Sequence, residues 1–577
     1  MSDSRRASGT VADVIVARLA AHTDHLFGVG GANIEDVYDA VARADGLTGI
    51  VAKHEFGAAT MADGYARATN RLGVVAATSG GGAMNLLAAL TESYDSRVPV
   101  LALVGQPPIG QQGRGAFQDT GGGPGLLDAE RIFGAVTRLC VKVTRPQDIH
   151  AALDRAIAAA LAGGPVALLL PKDIQAAPVL QRPAGTGSAT AVPVAGAEYD
   201  SAGTDHREPA ATRPSAGPGT AQVNAAVALL AAAAGPAVVI AGPEIARADA
   251  RAELAALAAA LDAVVLLTPD AKDAFPNEHP RFAGLTGVMG HPHAPELVAG
   301  AGLVVLAGAA LPMTARAGLD DALAACPAVL HVGVDAPFVT NALRLPGPPR
   351  AHLLELAARA SRPGFVAAPL YSGSLPELAV PPAPGSGVRY REAVAAIAAR
   401  LEPGSDIVAD AGNTGAAVVH HLPVPDGGRF LIALGMGGMG YSFGAGIGSA
   451  LGRRRRTVVI AGDGSYFMHG HELHTAVEYR VPVTFIVFNN NAHAMCATRE
   501  QLYYSGDYTF NRFRPAEIGA GVAAMFPDLP ARTAHTLADF EDALDKAAAE
   551  TGPVFIELRC DAAEVPPFAP FLKEPTP

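Results

Sequence analysis

Short apolar runs recur along the chain, and longer stretches with helical spacing of apolar residues separate them. Runs of this length, bounded by glycine and polar residues, predict strands that are buried on both faces of a sheet. Their alternation with helices predicts parallel α/β sheets. The predicted strands are 49–52, 74–78, 100–104, 166–170, 237–241, 264–268, 303–307, 329–334, 407–409, 430–434, 457–461, 483–488 and 554–558.

Two stretches without periodicity divide this pattern. Residues 181–219 and 363–388 are rich in Pro, Gly, Ser and Ala, a composition that predicts linkers. The chain is also too long for a single hydrophobic core. The sequence therefore predicts three doubly wound parallel α/β domains, at 1–180, 220–362 and 389–577.

Composition narrows the class of protein. Of the 577 residues 50% are apolar and 17% are charged, which is typical of a well-packed globular protein. The net charge of −12 gives no basic footprint for nucleic acid. No stretch predicts a signal peptide or a membrane span. Scattered cysteines without CxxC spacing predict neither zinc nor disulfides and favour a reducing, cytoplasmic location; they are Cys140, Cys326, Cys496 and Cys560.

Polar residues end two strands of one predicted βαβ unit, residues 457–495. The first strand runs into Gly462-Asp463-Gly464, and the second stops at Asn489-Asn490. Ligands of an open parallel sheet bind at the carboxyl ends of its strands, so Asp463 and Asn490 are expected to meet there. A carboxylate, an amide oxygen and a loop carbonyl, here that of Ala492, are oxygen ligands suited to Mg²⁺ that also holds phosphate. An ordinary βαβ crossover with a polar loop would show the same pattern.

This spacing of GDG and NN resembles the metal and diphosphate site of thiamine-diphosphate enzymes. The resemblance implies that Asp463, Asn490 and the carbonyl of Ala492 bind Mg²⁺, which bridges the diphosphate of the cofactor. It also implies that Gly464 and Ser465 contact the cofactor. Asn413 and Thr414, which follow the predicted strand 407–409, match a loop that touches the diphosphate, although a surface turn would look alike.

The first predicted domain contains the second matching stretch, residues 51–85. Glu55 lies where a strand gives way to a helix, a position where a glutamate is also common because it favours the helix dipole. The stretch resembles the family segment whose glutamate bonds the aminopyrimidine ring of thiamine. Such a carboxyl group favours the tautomer that lets the cofactor lose its reactive proton, which is general acid–base catalysis.

The third matching stretch, residues 430–452, contains Gly435-Met436-Gly437-Gly438-Met439-Gly440. GxGxxG after a strand also suggests a nicotinamide-dependent dehydrogenase, but the acid expected about 20 residues further on is missing. In the thiamine family this stretch contacts the pyrimidine, and an apolar residue forces the two cofactor rings into a V. Gly437 and Met439 match those positions, and a core methionine is the alternative for Met439.

Among thiamine enzymes the chain resembles the acetohydroxyacid (acetolactate) synthase branch over essentially its whole length. Phe117-Gln118-Asp119 is similar to the branch's Phe-Gln-Glu, so Gln118 is expected to position the substrate. Met495 matches an apolar pocket residue, and His493 replaces another. Arg499 stands where the branch carries a tryptophan, and the chain has no Trp.

The resemblance therefore implies a specialised carboligase. It would release CO₂ from a pyruvate-like 2-oxo acid and join the remainder to an aldehyde or ketone acceptor. A 2-oxo acid decarboxylase, a 2-hydroxyacyl-CoA lyase and a catalytically silent homologue remain alternatives.

Assembly is also implied by the family. Glu55 of one subunit would face Asp463 of another, in a homodimer or homotetramer. Synthases of this branch often bind FAD in the central domain, but only one glycine follows the strand 237–241, and no FAD prediction is made.

One histidine-rich stretch invites a zinc hypothesis. His469, His471, Glu472 and His474 follow the spacing HxHExH rather than HExxH, so they are interpreted as residues that pack and support the helix.

Overall fold

The computed structural model describes residues 8–180, 220–360, 370, 374–507 and 509–572. Within them the chain forms three six-stranded sheets, all parallel, and one two-stranded antiparallel ribbon. The predicted fold, three doubly wound α/β domains, is confirmed. The predicted linker 181–219 lies outside the described residues, and so do residues 363–369 and 371–373 of the predicted linker 363–388. The domain boundaries stay a prediction.

The first sheet has the strand order β3-β2-β4-β5-β7-β6, and β1 pairs with β8 beside it. Its inner strands β4, β5 and β7 are buried completely because helices cover both faces. The elements are β1 (Ser8–Thr10), α1 (Val11–Leu19), β2 (His25–Val29), α2 (Glu35–Arg43), β3 (Thr48–Val51), α3 (Glu55–Thr69), β4 (Gly73–Ala77), α4 (Gly81–Asn85), α5 (Leu87–Asp95), β5 (Val100–Gln106), α6 (Ala129–Val136), β6 (Leu139–Lys142), α7 (Ile149–Leu161), β7 (Val166–Pro171), α8 (Lys172–Gln175) and β8 (Pro178–Leu180).

The central sheet has a different order, β11-β10-β9-β12-β13-β14. The order reverses between β9 and β12, where open sheets of this topology usually bind a nucleotide. The elements are α9 (Thr220–Ala232), β9 (Ala237–Ala241), α10 (Glu244–Arg247), α11 (Arg251–Ala260), β10 (Val264–Leu267), β11 (Phe282–Leu285), α12 (Ala294–Ala299), β12 (Leu303–Ala307), α13 (Met313–Arg316), α14 (Asp320–Ala325), β13 (Val329–Gly333), β14 (Leu343–Pro346) and α15 (Pro349–Arg359).

The last sheet repeats the topology of the first, with the order β16-β15-β17-β18-β20-β19. Its order reverses between β15 and β17, so their carboxyl ends border a crevice. The elements are α16 (Tyr390–Ala398), β15 (Asp406–Ala409), α17 (Asn413–His421), β16 (Phe430–Ile432), α18 (Tyr441–Arg453), β17 (Thr457–Gly462), α19 (Asp463–His469), α20 (Leu473–Glu478), β18 (Val483–Asn489), α21 (Ala494–Tyr503), α22 (Ile518–Met525), β19 (Ala531–Ala534), α23 (Leu537–Ala548), β20 (Val554–Arg559) and α24 (Ala569–Leu572).

The first and last domains meet along the helices α3 and α18, whose backbones approach very closely. A Cβ atom at Gly64 would lie 2.2 Å from the Ala445 carbonyl oxygen, and one at Gly448 would lie 1.9 Å from that of Met61. Only glycine fits at these positions. The loop before α18 also contacts the first domain, where Glu92 on α5 accepts a hydrogen bond from the Met436 amide at 2.7 Å.

Candidate active site

The predicted metal ligands lie together at the carboxyl edge of the last sheet. The Ala492 amide donates to Asp463 Oδ2 and to Asn490 Oδ1, each at 3.1 Å, so both side-chain oxygens border one loop. Asp463 begins α19 directly after β17, and Asn490 follows β18. Both side chains are buried. The tertiary structure thus brings together the three residues that the sequence singled out as metal ligands.

The environment of Asp463 suits a cation. Burial raises the pKa of its carboxyl group to about 7, although hydrogen bonds from the Ala492 and Gly464 amides oppose the shift. A buried carboxylate is costly unless a positive charge compensates it. The described residues contain no group of three or more His, Cys, Asp or Glu side chains placed to hold a metal. A metal here would therefore combine one carboxylate with neutral oxygens and phosphate, as Mg²⁺ does.

Asp410 connects the loops around this crevice through hydrogen bonds. The sequence analysis did not predict it as a site residue. Its carboxylate accepts hydrogen bonds from the Gly440 and Ser442 amides, both at 3.0 Å, and from the Ser465 hydroxyl at 2.6 Å. It therefore joins the loops that follow three strands, β15, β16 and β17. The signal was available: Asp410 is the polar residue that follows the predicted strand 407–409, as Asp463 follows its own strand.

Asn413 and Thr414 open α17 at the same edge, and both are buried. Gly412 before them has φ +91, a conformation that favours glycine. The side-chain oxygen of Asn413 is buried without a hydrogen-bond partner, while its amide nitrogen donates to the Glu564 carbonyl at 3.4 Å. The free N–H groups at this helix N-terminus suit an anionic ligand, whereas the unpartnered Asn413 oxygen is an acceptor that needs a donor or a cation.

Met439 and His493 converge on Gly464. A Cβ atom at Gly464 would lie 2.4 Å from His493 Cδ2 and 3.0 Å from the Met439 methyl carbon. The His493 ring packs edge-on against Phe513, with ring centroids 4.7 Å apart. Gly437, two residues before Met439, has φ +66. A thioether and an imidazole thus flank the loop that carries Asp463.

The first domain gathers Glu55 and Gln118 at its own sheet edge. Glu55 begins α3 and accepts a hydrogen bond from the Asn85 side chain at 2.9 Å. Gln118 has φ +57 and accepts one from the Thr78 hydroxyl at 3.2 Å. A Cβ atom at Gly82 would meet both Glu55 and Thr78. The two predicted catalytic side chains therefore border the same turn after β4.

A cavity of about 850 Å³ opens between the crevice of the last sheet and that of the central sheet, and its lining includes the loops after β9, β12 and β13. Gly437, Met495 and Arg499 line it with Asp410, so two of the three predicted pocket residues share a cavity with cofactor-binding candidates. Glu55 and Gln118 do not line it. Within one chain, the cavity is closed instead by the other end of α3, at Arg67, and by residues 94–98.

The predicted dehydrogenase alternative does not fit this geometry. The GxGxxG stretch follows β16, which is the edge strand of its sheet. A dinucleotide fingerprint follows the strand beside the reversal of strand order, where the pyrophosphate reaches a helix N-terminus.

Lys272 of the central domain supports the helix that carries Asn413. Its ammonium group is buried and donates to three carbonyl oxygens in the last turn of α17; the acceptors are Val418, Val419 and Leu422. A cation at a helix C-terminus interacts favourably with the helix dipole. Burial nevertheless lowers the pKa of Lys272 to about 7.

Replacing Lys272 with Met should destabilise the protein, because the buried carbonyl oxygens at the end of α17 lose the amine that donates to them. We expect a loss of about 1–3 kcal/mol near pH 8, measured by chemical unfolding. The pKa of this lysine is about 10.4 in the unfolded chain. The unfolded state therefore binds more protons between pH 7 and 10, so the stability of the native protein, but not of the variant, gains with rising pH.

The matched control for this prediction is Lys546→Met. Lys546 is exposed and pairs with Asp542 on the surface of α23, so its replacement should change stability by less than about 0.5 kcal/mol. A Lys272→Met deficit that stayed constant from pH 7 to 10 would contradict the prediction.

Family models match all three domains. They are the N-terminal TPP binding domain of thiamine pyrophosphate enzymes over residues 9–122, their central domain over 223–352, and their C-terminal TPP binding domain over 410–558. The chain belongs to the thiamine pyrophosphate (thiamine diphosphate) enzyme family. The resemblance seen in the sequence is confirmed.

Curated relatives agree with this assignment, and a solved structure shares the fold. Acetolactate synthase of Arthrospira platensis is 27% identical over 97% of this chain and 96% of its own. The probable acetolactate synthase large subunit of Methanocaldococcus jannaschii is 28% identical over 97% and 93%. The thiamine diphosphate-dependent 4-hydroxybenzoylformate decarboxylase of Rhodococcus jostii RHA1 is similar in structure, with a TM-score of 0.78, 22% identity and coverage of 96% of this chain and 99% of that one.

The structure also bears on the predictions about membrane spans, cysteines and the histidine-rich stretch. Among the helices that the structure describes, none is both long and apolar enough to cross a bilayer. The four cysteines are free. In the predicted histidine-rich stretch, His469 stacks on Phe56 with ring centroids 4.1 Å apart. The location in the cytoplasm stays a prediction.

Proposed function

We propose that this protein is a thiamine-diphosphate-dependent carboligase related to acetolactate synthases. It would join a decarboxylated, pyruvate-like 2-oxo acid to an aldehyde or ketone acceptor. The observation that carries the proposal is the cluster of Asp463, Asn490 and Ala492, where two buried side-chain oxygens lie 3.1 Å from one amide. Asp410 and Asn413 surround it at the reversal point of the last sheet.

The residues of the last domain would hold the cofactor and its metal. Asp463 and Asn490 would hold Mg²⁺ through oxygen, with Ser465 and Asn413 near the diphosphate. Thiamine diphosphate, when bound, supplies a nucleophilic carbon for the 2-oxo group and takes up the electron pair left by CO₂, chemistry that no side chain provides. Gly437 and Met439 would contact its pyrimidine and set the angle between its rings.

The side chains of the first domain would move and hold protons. The Glu55 carboxyl group, held by Asn85, would hold a proton at its oxygen and share it with the pyrimidine ring, as a positioned general acid–base. Gln118, fixed by Thr78, would offer its amide to the substrate. Arg499 lines the cavity without a carboxylate partner among the described ion pairs, and its guanidinium would bind the substrate carboxylate.

A homodimer or homotetramer would complete the site, because within one chain Glu55 and Gln118 do not line the cavity at Gly437. Large apolar side chains beside each half of the site support this proposal. Phe117 next to Gln118 is 74% exposed, Met436 next to Gly437 is 56% exposed, and Phe467 and Met468 on the helix of Asp463 are 51% and 49% exposed. A second subunit that covered these side chains would remove their apolar surface from water.

We infer that the Glu244 side of the central crevice, which lines the 850 Å³ cavity, does not bind the phosphates of FAD. The Glu244 carboxylate is buried between β9 and β13, where it accepts hydrogen bonds from the Val334 amide at 2.7 Å and the Asp335 amide at 3.0 Å. Those amides would otherwise be open to the phosphates of a dinucleotide. A Cβ atom at Gly308 would lie 2.7 Å from Glu244 Cβ, so the loops after β9 and β12 are in contact.

Decarboxylation without ligation is the second candidate. His493 favours it, because an imidazole beside Met439 and Gly464 can supply the proton that releases an aldehyde. A 2-hydroxyacyl-CoA lyase is the third candidate of the same family.

Product analysis tests the proposal. The protein is incubated with pyruvate, thiamine diphosphate and Mg²⁺, without FAD, and a panel of 2-oxo acids and aldehyde acceptors is then screened by CO₂ release and product mass. A carboligase gives acetolactate or another ligated product. Free aldehyde alone supports the decarboxylase, and turnover only with 2-hydroxyacyl-CoA supports the lyase. Activity that requires added FAD would contradict the inference about Glu244.

A further inference from the structure

Residues 472–479 of the last domain form hydrogen bonds with the backbone of residues 51–54, which precede Glu55. The Tyr479 hydroxyl accepts a hydrogen bond from the Val51 amide at 2.9 Å. Glu472 accepts from the Lys53 amide at 3.1 Å and from the His54 amide at 3.0 Å. These contacts cover the turn between β3 and α3, and they all come from residues 472–479.

Glu472 is the centre of this contact. Its side chain is 2% exposed, and its other oxygen accepts a hydrogen bond from the Thr475 hydroxyl at 2.9 Å. Burial raises the pKa of its carboxyl group, while these hydrogen bonds oppose the shift. Among the described ion pairs none includes Glu472, so amide and hydroxyl donors alone satisfy it. A buried acceptor of this kind is expensive to remove, because the donors around it lose their partner.

The fit against α3 is close. A Cβ atom at Gly57 would lie 2.1 Å from a Glu472 carboxylate oxygen, so the first turn of α3 rests directly on this group. His54 caps the helix by accepting from the Phe56 amide at 3.0 Å. Glu55 is the first residue of α3, so the direction of its side chain depends on the preceding turn. Glu472 fixes that turn because it accepts hydrogen bonds from the amides of the two residues before Glu55.

We propose that Glu472 is a positioning residue for Glu55, acting across the contact between the last and first domains. The proposal rests on the proposed function, because it assumes that the Glu55 carboxyl group handles the protons. Glu472 does not touch the cofactor site formed by Asp463 and Asn490. It fixes the backbone of Lys53 and His54, and through them the start of the helix that carries the acid.

The test replaces Glu472 with Gln, which keeps the shape and one acceptor but puts a donor against the amides of residues 53 and 54. We expect turnover to fall about 10–100-fold, because a shift of about 1 Å in a reacting group costs this much. The KM for the 2-oxo acid and the half-saturating Mg²⁺ concentration should change less than about 2-fold, since the last-domain cluster is untouched.

The matched control is Glu478→Gln. Glu478 pairs with the Lys53 ammonium group at 2.7 Å, but it is 47% exposed at its side chain and contacts no backbone amide of the turn. Its replacement should leave turnover within about 2-fold of the native value, because exposed ion pairs contribute little.

A double variant separates positioning from general destabilisation. In a Glu55→Gln background, adding Glu472→Gln should lower turnover by no more than about 2-fold, because the group that it positions is already gone. An equal loss in both backgrounds would overturn the proposal, and so would native turnover in Glu472→Gln alone. If Glu55→Gln itself kept native turnover, the proposed function would fail instead.

A milder variant covers the case in which Glu472→Gln does not fold. Thr475→Val removes the hydroxyl that orients the Glu472 carboxylate at similar volume. It should lower turnover by about 3–10-fold with unchanged half-saturation by Mg²⁺. Native turnover in a folded Thr475→Val protein would count against Glu472 as a positioning residue.

Discussion

Replacing Glu55 with Gln is expected to lower turnover by about 10²–10⁴-fold while the protein stays folded. The carboxamide has nearly the volume of the carboxylate and can still accept the hydrogen bond that Asn85 donates at 2.9 Å. It cannot exchange a proton at its oxygen, so the contribution of general acid–base catalysis is lost. Steady-state kinetics with saturating thiamine diphosphate and Mg²⁺ measure the effect, and thermal unfolding checks the fold.

A matched control exists in the same domain. Glu35 is the first residue of α2, as Glu55 is of α3, but its carboxylate pairs with Lys172 at an exposed position. Glu35→Gln should keep native turnover. If the purified Glu55→Gln protein turned over at the native rate, Glu55 would not be the acid of this site.

Replacing Asp463 with Asn is expected to have the second large effect, which is a loss of metal affinity. The amide oxygen can still accept from the Gly464 amide, which donates to one carboxylate oxygen at 3.0 Å, but the new NH2 group faces the Ala492 amide, which donates to the other at 3.1 Å. The negative charge is lost, and with it the one carboxylate of the cluster. The affinity for Mg²⁺ should fall at least about 100-fold, since even weaker perturbations of metal sites cost 10–100-fold.

Calorimetric titration of Mg²⁺ in the presence of thiamine diphosphate measures this change without reference to turnover. The control is Asp320→Asn, because Asp320 also begins a helix, α14, but lies exposed in an ion pair with Arg316. Native Mg²⁺ affinity in Asp463→Asn would show that the metal, if it binds, lies elsewhere.

Strands and the family motifs could be predicted because their signals are local. Fully buried strands such as β9 and β12 read as continuous apolar runs, and the predicted bounds 237–241 and 303–307 match the structure. Seven strands were not predicted: β1, β2, β6, β8, β11, β14 and β19. The edge strands β6, β14 and β19 have only partly buried side chains, so their sequences carry at most a short apolar run. The interior strand β2 was missed because its buried run is only three residues long and includes a glycine.

The candidate site divides in the same way. Asp463, Asn490 and Ala492 could be placed together from sequence, because parallel strands end at a common edge. Asp410 obeys the same rule and was overlooked. Lys272 and Glu472 could not be assigned from sequence, since each acts on a backbone in another domain.

The sequence by itself determined the chemistry available to this protein. Residue type at a strand end, glycine in a tight loop and apolar periodicity are properties of short segments, and they predict three parallel sheets and a metal site suited to a diphosphate. Only the tertiary structure decided how the domains hold those residues. Buried polar groups form hydrogen bonds between domains, as the Glu472 carboxylate does with the amides of Lys53 and His54. Such pairings depend on packing between residues that are far apart in the chain, and no local pattern encodes them.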